Sequence, residues 1–370
     1  MIYLVCFALS IWFAYLAQKT TTRRKFYLFS VISIALPVLL AGFRHYGVGI
    51  DTINYYVKNL YWAGAVKADS LFDCLKISFA GGKGDPLFAL IMGIVAQTTG
   101  SFTVFLLVAQ AIIMTGVYIG IFRHRKYVNP AFVLTIFYLF FFNSSLNVLR
   151  QYMAMAVLFA FLADIPQKKW KRYLIGVCIA MMLHSTAIIG VAPLVLYIVL
   201  EYKKGQGLNT AKRELAVSGL LLCMVLLFVP LIRLATALNL LNDRFLFFLR
   251  DSAVSPAVLM IGVLAVTLAA AYLYRKRIRS NCPSADFYIF NSMVYMVLLQ
   301  LSFFIAYGKR IGLYLAFADL ITIGLVEKAP KSRNVRWLVR GGLVVMALCY
   351  WAYVYGYRNA SETLPYRWVF

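Results

Sequence analysis

The chain is a succession of apolar stretches, each close to the length a helix needs to cross a bilayer. Stretches 2–17, 26–43, 101–122, 128–145, 147–164, 211–232, 256–274, 286–306, 311–327 and 337–356 are all mainly apolar. A spanning helix takes about 20 such residues, with a lower limit near 17. Hydrophobic residues make up 63% of the 370 and charged residues only 14%, against about 45–50% and about 25% in soluble domains. A water-soluble enzyme, a disordered tail and a disulfide-stapled secreted module are excluded. The expectation is an all-α polytopic integral membrane protein, with residues 1–370 forming a single transmembrane domain. Met1 to Leu16 has no basic leading region and reads as the first membrane helix, not a cleaved leader.

Lys plus Arg number 37 against 13 Asp plus Glu, a formal net charge of +24. On a soluble chain that excess would suggest nucleic acid. Here the positive charges sit in short clusters between apolar runs, the pattern of cytoplasmic loops facing anionic lipid. No nucleic-acid partner is expected. The clusters are Lys19/Arg23/Arg24/Lys25, Arg123/Arg125/Lys126, Lys168/Lys169/Lys171/Arg172, Lys203/Lys204/Lys212/Arg213, Arg275/Lys276/Arg277/Arg279 and Lys328/Lys331/Arg333/Arg336/Arg340. All six are cytoplasmic together if three conditions hold. The N-terminus is outside. The short apolar segment 85–98 is re-entrant or interfacial. The long stretch 173–200 is a hairpin turning at His184-Ser185. The result is about twelve crossings with both termini outside, and extracytoplasmic loops at 44–84 and 233–255.

That topology gathers a sparse, mixed set of polar residues on the outer side. Arg44, Arg150, Arg244, Arg250 and Arg310 are there, with Asp51, Asp85 and His184. The six cysteines form no Cys-x-x-Cys pair, and with only three histidines no metal-ligand set assembles. No metal and no cofactor is expected. No nucleophile elbow, phosphate-binding loop or dinucleotide fingerprint is present, and Gly47-Val48-Gly49 is too short to be one.

Three short motifs stand out. The first runs from Arg44 through Gly47, Gly49 and Asp51 to Tyr55. Its glycines let backbone approach a ligand closely, and Arg44 offers a planar fork that suits phosphate. A helix end with a snorkelling Arg explains the same spacing. The second is Asn147-Val148-Leu149-Arg150-Gln151, which places Arg150 a turn into a long apolar stretch. An Arg there is costly unless paired or wet, which marks it as functional unless it snorkels to headgroups. The third is His184-Ser185-Thr186-Ala187 between two apolar half-helices. Its imidazole is a hydrogen-bonded structural group, a proton acceptor or a donor to phosphate. Asp319 is the one carboxylate near the middle of an expected span, and bonding to a neighbouring helix or proton movement would each account for it.

In this order, with Leu364-Pro365-Tyr366 near the end, the motifs resemble the EpsG family of bacterial exopolysaccharide polymerases, relatives of the Wzy repeat-unit polymerases. The resemblance spans most of the chain. Ile50 stands where that family usually has Thr, and Asp85 where it usually has Glu. The resemblance implies a GT-C-like membrane glycosyltransferase in the bacterial cytoplasmic membrane, facing the periplasm or cell exterior. Its substrates would be undecaprenyl-diphosphate-linked glycans, polymerised with inversion and without a metal. A flippase and a chain-length regulator are the candidate protein partners, and membrane lipids surround it.

Without a metal, cations must stabilise the departing diphosphate, and Arg suits that better than Lys. Asp51, Arg150 and His184 are the catalytic candidates, with Asp51 and His184 both open as the base. Arg44, Tyr55, Asn147, Gln151, Arg244, Arg250 and Arg310 are the substrate-binding candidates. A lipid-linked glycan ligase would need the same arginines. A lipid-linked oligosaccharide flippase or transporter would instead need several midplane charges or paired broken helices, and the sequence has no internal repeat.

Overall fold

Helices occupy all ten apolar stretches in the computed structural model, which describes residues 1–49, 52–53, 61–80, 85–201, 210–238, 257–304 and 308–370. The only β pairing among these residues is an isolated bridge between Arg44 and Trp368. They form two compact units, residues 1–188 with 337–370, and residues 189–336.

In the first unit, α1 is Ile2–Lys19, α2 Arg23–Gly42, α3 Tyr61–Lys67, α4 Leu71–Ala80, α5 Pro86–Thr99 and α6 Phe102–Arg123. Helix α7 starts at Pro130–Phe137 and continues through a π-helical Tyr138–Phe142 into Asn143–Ser145. Helices α8, Leu149–Leu162, and α9, Trp170–Leu183, follow. Pro86 and Pro130 occupy first-turn positions, where a missing N–H costs nothing. Gly100 ends α5 in the left-handed region at φ +61°, and Ser101 caps α6 by accepting the Val104 N–H. Two residues therefore suffice to pass from α5 to α6.

Helix α6 packs on α2, α5 and α8. Its contact with α8 depends on Gly116 and Gly120, one turn apart on the same face. A Cβ on Gly116 would lie 2.6 Å from the Ala156 carbonyl oxygen. Small residues at this spacing let backbones approach closely where hydrocarbon gives helices no reason to associate. At one end of this packed group Arg123 pairs with the buried Asp164, in the turn between α8 and α9. Arg172, in the first turn of α9, stands 3.9 Å from the same carboxylate.

The second unit contains α10, Ala192–Glu201, α11, Thr210–Ala237, α12, Ala257–Leu273, α13, Arg275–Asn281, α14, Ala285–Leu299, and α15, Lys309–Lys328. Helices α12 and α13 meet at 78°. Arg275 and Arg279 of α13 pair with Asp286, and Arg275 also reaches the buried Glu214 of α11. The Ser292 hydroxyl of α14 donates to Thr322 Oγ1 of α15 at 2.8 Å. The last helix, α16, is Arg333–Trp351, and from Trp337 onward it belongs to the first unit.

Five described helices are long and apolar enough to cross a membrane: Ile2–Lys19, Arg23–Gly42, Phe102–Arg123, Ala285–Phe303 and Arg333–Tyr357. Counting α12 with α13 as one bent span gives six. Length and composition thus establish about half of the expected twelve. The shortfall is physical. Helices α8 and α9 have 14 residues each, or about 21 Å of rise, less than the roughly 30 Å hydrocarbon thickness. The expected break at His184 is present: α9 ends at Leu183, His184 is extended at φ −158° and ψ 116°, and a 3₁₀ helix covers Ser185–Val191. The expected outer loop 44–84 holds α3 and α4, and most of 233–255 lies outside the described residues.

Candidate functional site

Arg150 sits in the first turn of α8, where the helix dipole disfavours a cation. Asp85 compensates. It precedes Pro86 at the start of α5, and its Oδ2 accepts Arg150 Nη1 at 2.8 Å. The other oxygen, Oδ1, accepts the backbone N–H of Ser185 at 2.7 Å, just past the end of α9. That contact brings His184 to the same carboxylate, with Nδ1 at 3.4 Å from Oδ2. Three segments far apart in sequence therefore converge on one side chain.

The Asp85 side chain is 2% exposed, while Arg150 and His184 keep 18% and 22% of theirs in the open. The cationic and imidazole groups thus reach the surface over a carboxylate that does not. Phe88, one turn into α5, puts its ring 5.5 Å from the Arg150 guanidinium carbon and covers part of that group. Burial pushes the Asp85 carboxyl up. The hydrogen bonds from His184 and the Ser185 N–H, with the charge of Arg150, outweigh that and hold it below the usual carboxylate range. An ionised carboxylate only accepts, so the His184 contact requires a proton on Nδ1; in the neutral ring this leaves the Nε2 lone pair as a proton acceptor.

A second group of motif residues meets beside Arg150. Arg44 is 1% exposed, and its guanidinium donates to the carbonyl oxygens of Ala41 and, at 3.0 Å, Leu146. Its fork joins the end of α2 to the turn before α8. Gly49 has φ +97°, where any other residue is strained, and a Cβ there would stand a tight 3.3 Å from the Leu146 carbonyl and in ordinary contact, 3.6 Å, with Asn147 Oδ1. The C-terminal tail fastens this loop. His45 N–H donates to Arg367 O at 2.8 Å, Gly49 N–H to Glu362 O at 2.9 Å, and the Tyr366 hydroxyl to Leu40 O at 2.7 Å.

Of the sequence candidates, Arg150 and His184 share a partner, and Arg44 and Asn147 flank the same turn. Gln151 is buried beside Arg150 in sequence. Arg310 lies in the first turn of α15, in the second unit. Asp51, Tyr55, Arg244 and Arg250 lie outside the described residues. The group that reading the sequence left out of the site is Asp85. Its one local signal was an acidic residue directly before the proline that opens a helix.

No curated protein and no solved structure matches the chain. The family model described as "EpsG family" matches residues 26–368, which takes in every segment of the candidate site. The chain therefore belongs to the EpsG family.

Proposed function

We propose that the protein polymerises undecaprenyl-diphosphate-linked oligosaccharide repeat units into a surface polysaccharide. The transfer occurs on the outer side of the bacterial cytoplasmic membrane, inverts the anomeric centre and uses no metal. EpsG membership supports the reaction class. The convergence of Arg150 and His184 on Asp85 is the observation that supports placing the chemistry on these residues.

In this reading a hydroxyl of the acceptor's terminal sugar attacks the anomeric carbon of the donor glycan. The bond from that carbon to phosphate oxygen breaks, and undecaprenyl diphosphate leaves with the electron pair. Arg150 neutralises the charge that grows on the diphosphate. The acceptor proton passes to His184 Nε2, with Asp51 as the second candidate base. Arg44 acts by holding the Leu146–Asn147 turn that positions Arg150.

The reading keeps the twelve-crossing topology, with six basic clusters inside and the short helix α5 not crossing. A flippase would supply the substrate and a chain-length regulator would set product size. The test is polymer formation by the purified full-length protein from lipid-linked repeat units alone. A ladder of products on the lipid carrier supports the reading. Transfer of glycan only to a different acceptor would make the protein a ligase.

A further inference from the structure

The two oxygens of Asp85 are loaded unequally. Among the described residues Oδ1 has one donor, the Ser185 N–H at 2.7 Å. Oδ2 has two, Arg150 Nη1 at 2.8 Å and His184 Nδ1 at 3.4 Å. The arginine contact has the length of a charge-assisted hydrogen bond. The histidine contact lies beyond the roughly 2.7–3.2 Å of a good N–H···O bond. Oδ2 can accept both donors, but they share one oxygen and each weakens the other's bond, with arginine in this competition holding the shorter one.

From this competition we infer that Asp85 is a positioning residue that couples donor binding to the base. The donor diphosphate draws Arg150 away from Oδ2. The oxygen then passes to His184, whose bond shortens and locks the ring with Nδ1 protonated and Nε2 available to the acceptor hydroxyl. Each charge keeps a partner in both states: Arg150 exchanges carboxylate for phosphate, and Asp85 keeps the Ser185 N–H while gaining the imidazole. The exchange thus avoids an unpaired buried charge, which would be the prohibitive cost. The identity of the diphosphate rests on the polymerase reading; the competition for Oδ2 does not.

Nitrogen-15 histidine NMR of the full-length protein in nanodiscs reads this directly. The chain has only three histidines, and His45→Gln and His184→Gln variants assign them. At alkaline pH, where imidazole is neutral, wild-type His184 should be the Nδ1–H tautomer. Adding undecaprenyl diphosphate, with its binding followed by phosphorus-31 NMR, should move that proton downfield. Arg150→Gln should produce the same movement without any ligand, and Asp85→Asn should mix the tautomers and abolish the response. An Nε2–H tautomer in the wild type, or an Arg150→Gln resonance at the wild-type position, would overturn the inference. If Arg150→Gln does not fold, the wild-type titration decides, and no movement at saturation overturns it. These readouts need no turnover. A wild type that makes no polymer removes the polymerase reading and leaves the competition measurable.

Discussion

Arg123 grips Asp164 with both ends of its guanidinium, Nη1 to Oδ2 at 2.8 Å and Nη2 to Oδ1 at 2.6 Å. The pair joins the end of α6 to the turn between α8 and α9. Arg150 and His184 lie at the opposite ends of those same two helices. The basic residues 123–126 and 168–172 therefore share one end of the first unit, and the candidate site occupies the other. In the proposed topology the first of these ends is cytoplasmic and the second lies outside.

Breaking the Arg123–Asp164 pair should destabilise the protein. Removing one partner of a buried pair costs about 3–5 kcal/mol, and the lower end applies here because Arg123 is 25% exposed. Asp164→Asn should lower the thermal midpoint in detergent clearly, while Arg172→Ala, on a more exposed side chain, should barely move it. Burial raises the Asp164 carboxyl, but Arg123 outweighs burial and holds it below its ordinary value. The pair's contribution is therefore full above the ordinary carboxylate pKa and is lost as pH falls through the lowered one. The midpoint of Asp164→Asn should lack that acid-side decline.

The topology makes a labelling prediction. Gly100 lies between α5 and α6, and Lys126 lies past the other end of α6. A cysteine at position 100 should react with an impermeant reagent from outside, and one at 126 only from inside. Labelling of position 100 solely from inside would contradict the non-crossing assignment of α5.

Close packing at α6 predicts a steric penalty. Gly116→Val should lower stability by about 1–3 kcal/mol, the usual cost of overpacking, because its Cβ meets the Ala156 backbone. Gly262→Ala, with open space around its Cβ, should leave the thermal midpoint unchanged.

Asp319 is buried on α15 beside Ser292, which also bonds Thr322. The role proposed for it is bonding to the neighbouring helix. Asp319→Asn should keep expression and polymer yield, and Asp319→Leu should lose stability. A well-folded but inactive Asn variant would place Asp319 in the chemistry.

The helices were legible in the sequence because hydropathy is a local property, and each apolar stretch needed only its own residues. Arg150 and His184 were legible for a related reason: a charged or titratable group at the edge of an apolar run needs an explanation. Asp85 was legible only as an outer-side carboxylate at a position where the family usually has Glu; its role was not, because its partners are 65 and 99 residues away. Arg44 was misleading in the opposite sense. Its fork suits phosphate, but tertiary packing turns it onto the carbonyls of Ala41 and Leu146. The count of crossings was only partly recoverable, since α8 is shorter than the apolar stretch 147–164 and α9 ends at Leu183, well before the end of 173–200.

The most direct test of the central claim is the rate of polymer formation from purified lipid-linked repeat units by Arg150→Lys and His184→Ala, each checked for folding. Removing a preorganised donor to developing charge costs about 100–1,000-fold in rate. Lysine cannot replace the planar fork that holds Asp85 in the free protein and is proposed to take the diphosphate in its place, so Arg150→Lys should fail to a comparable extent, and His184→Ala should lose its base. Loss of two or more orders of magnitude in both folded variants is the expected result. Near wild-type polymerisation by both would contradict this active site.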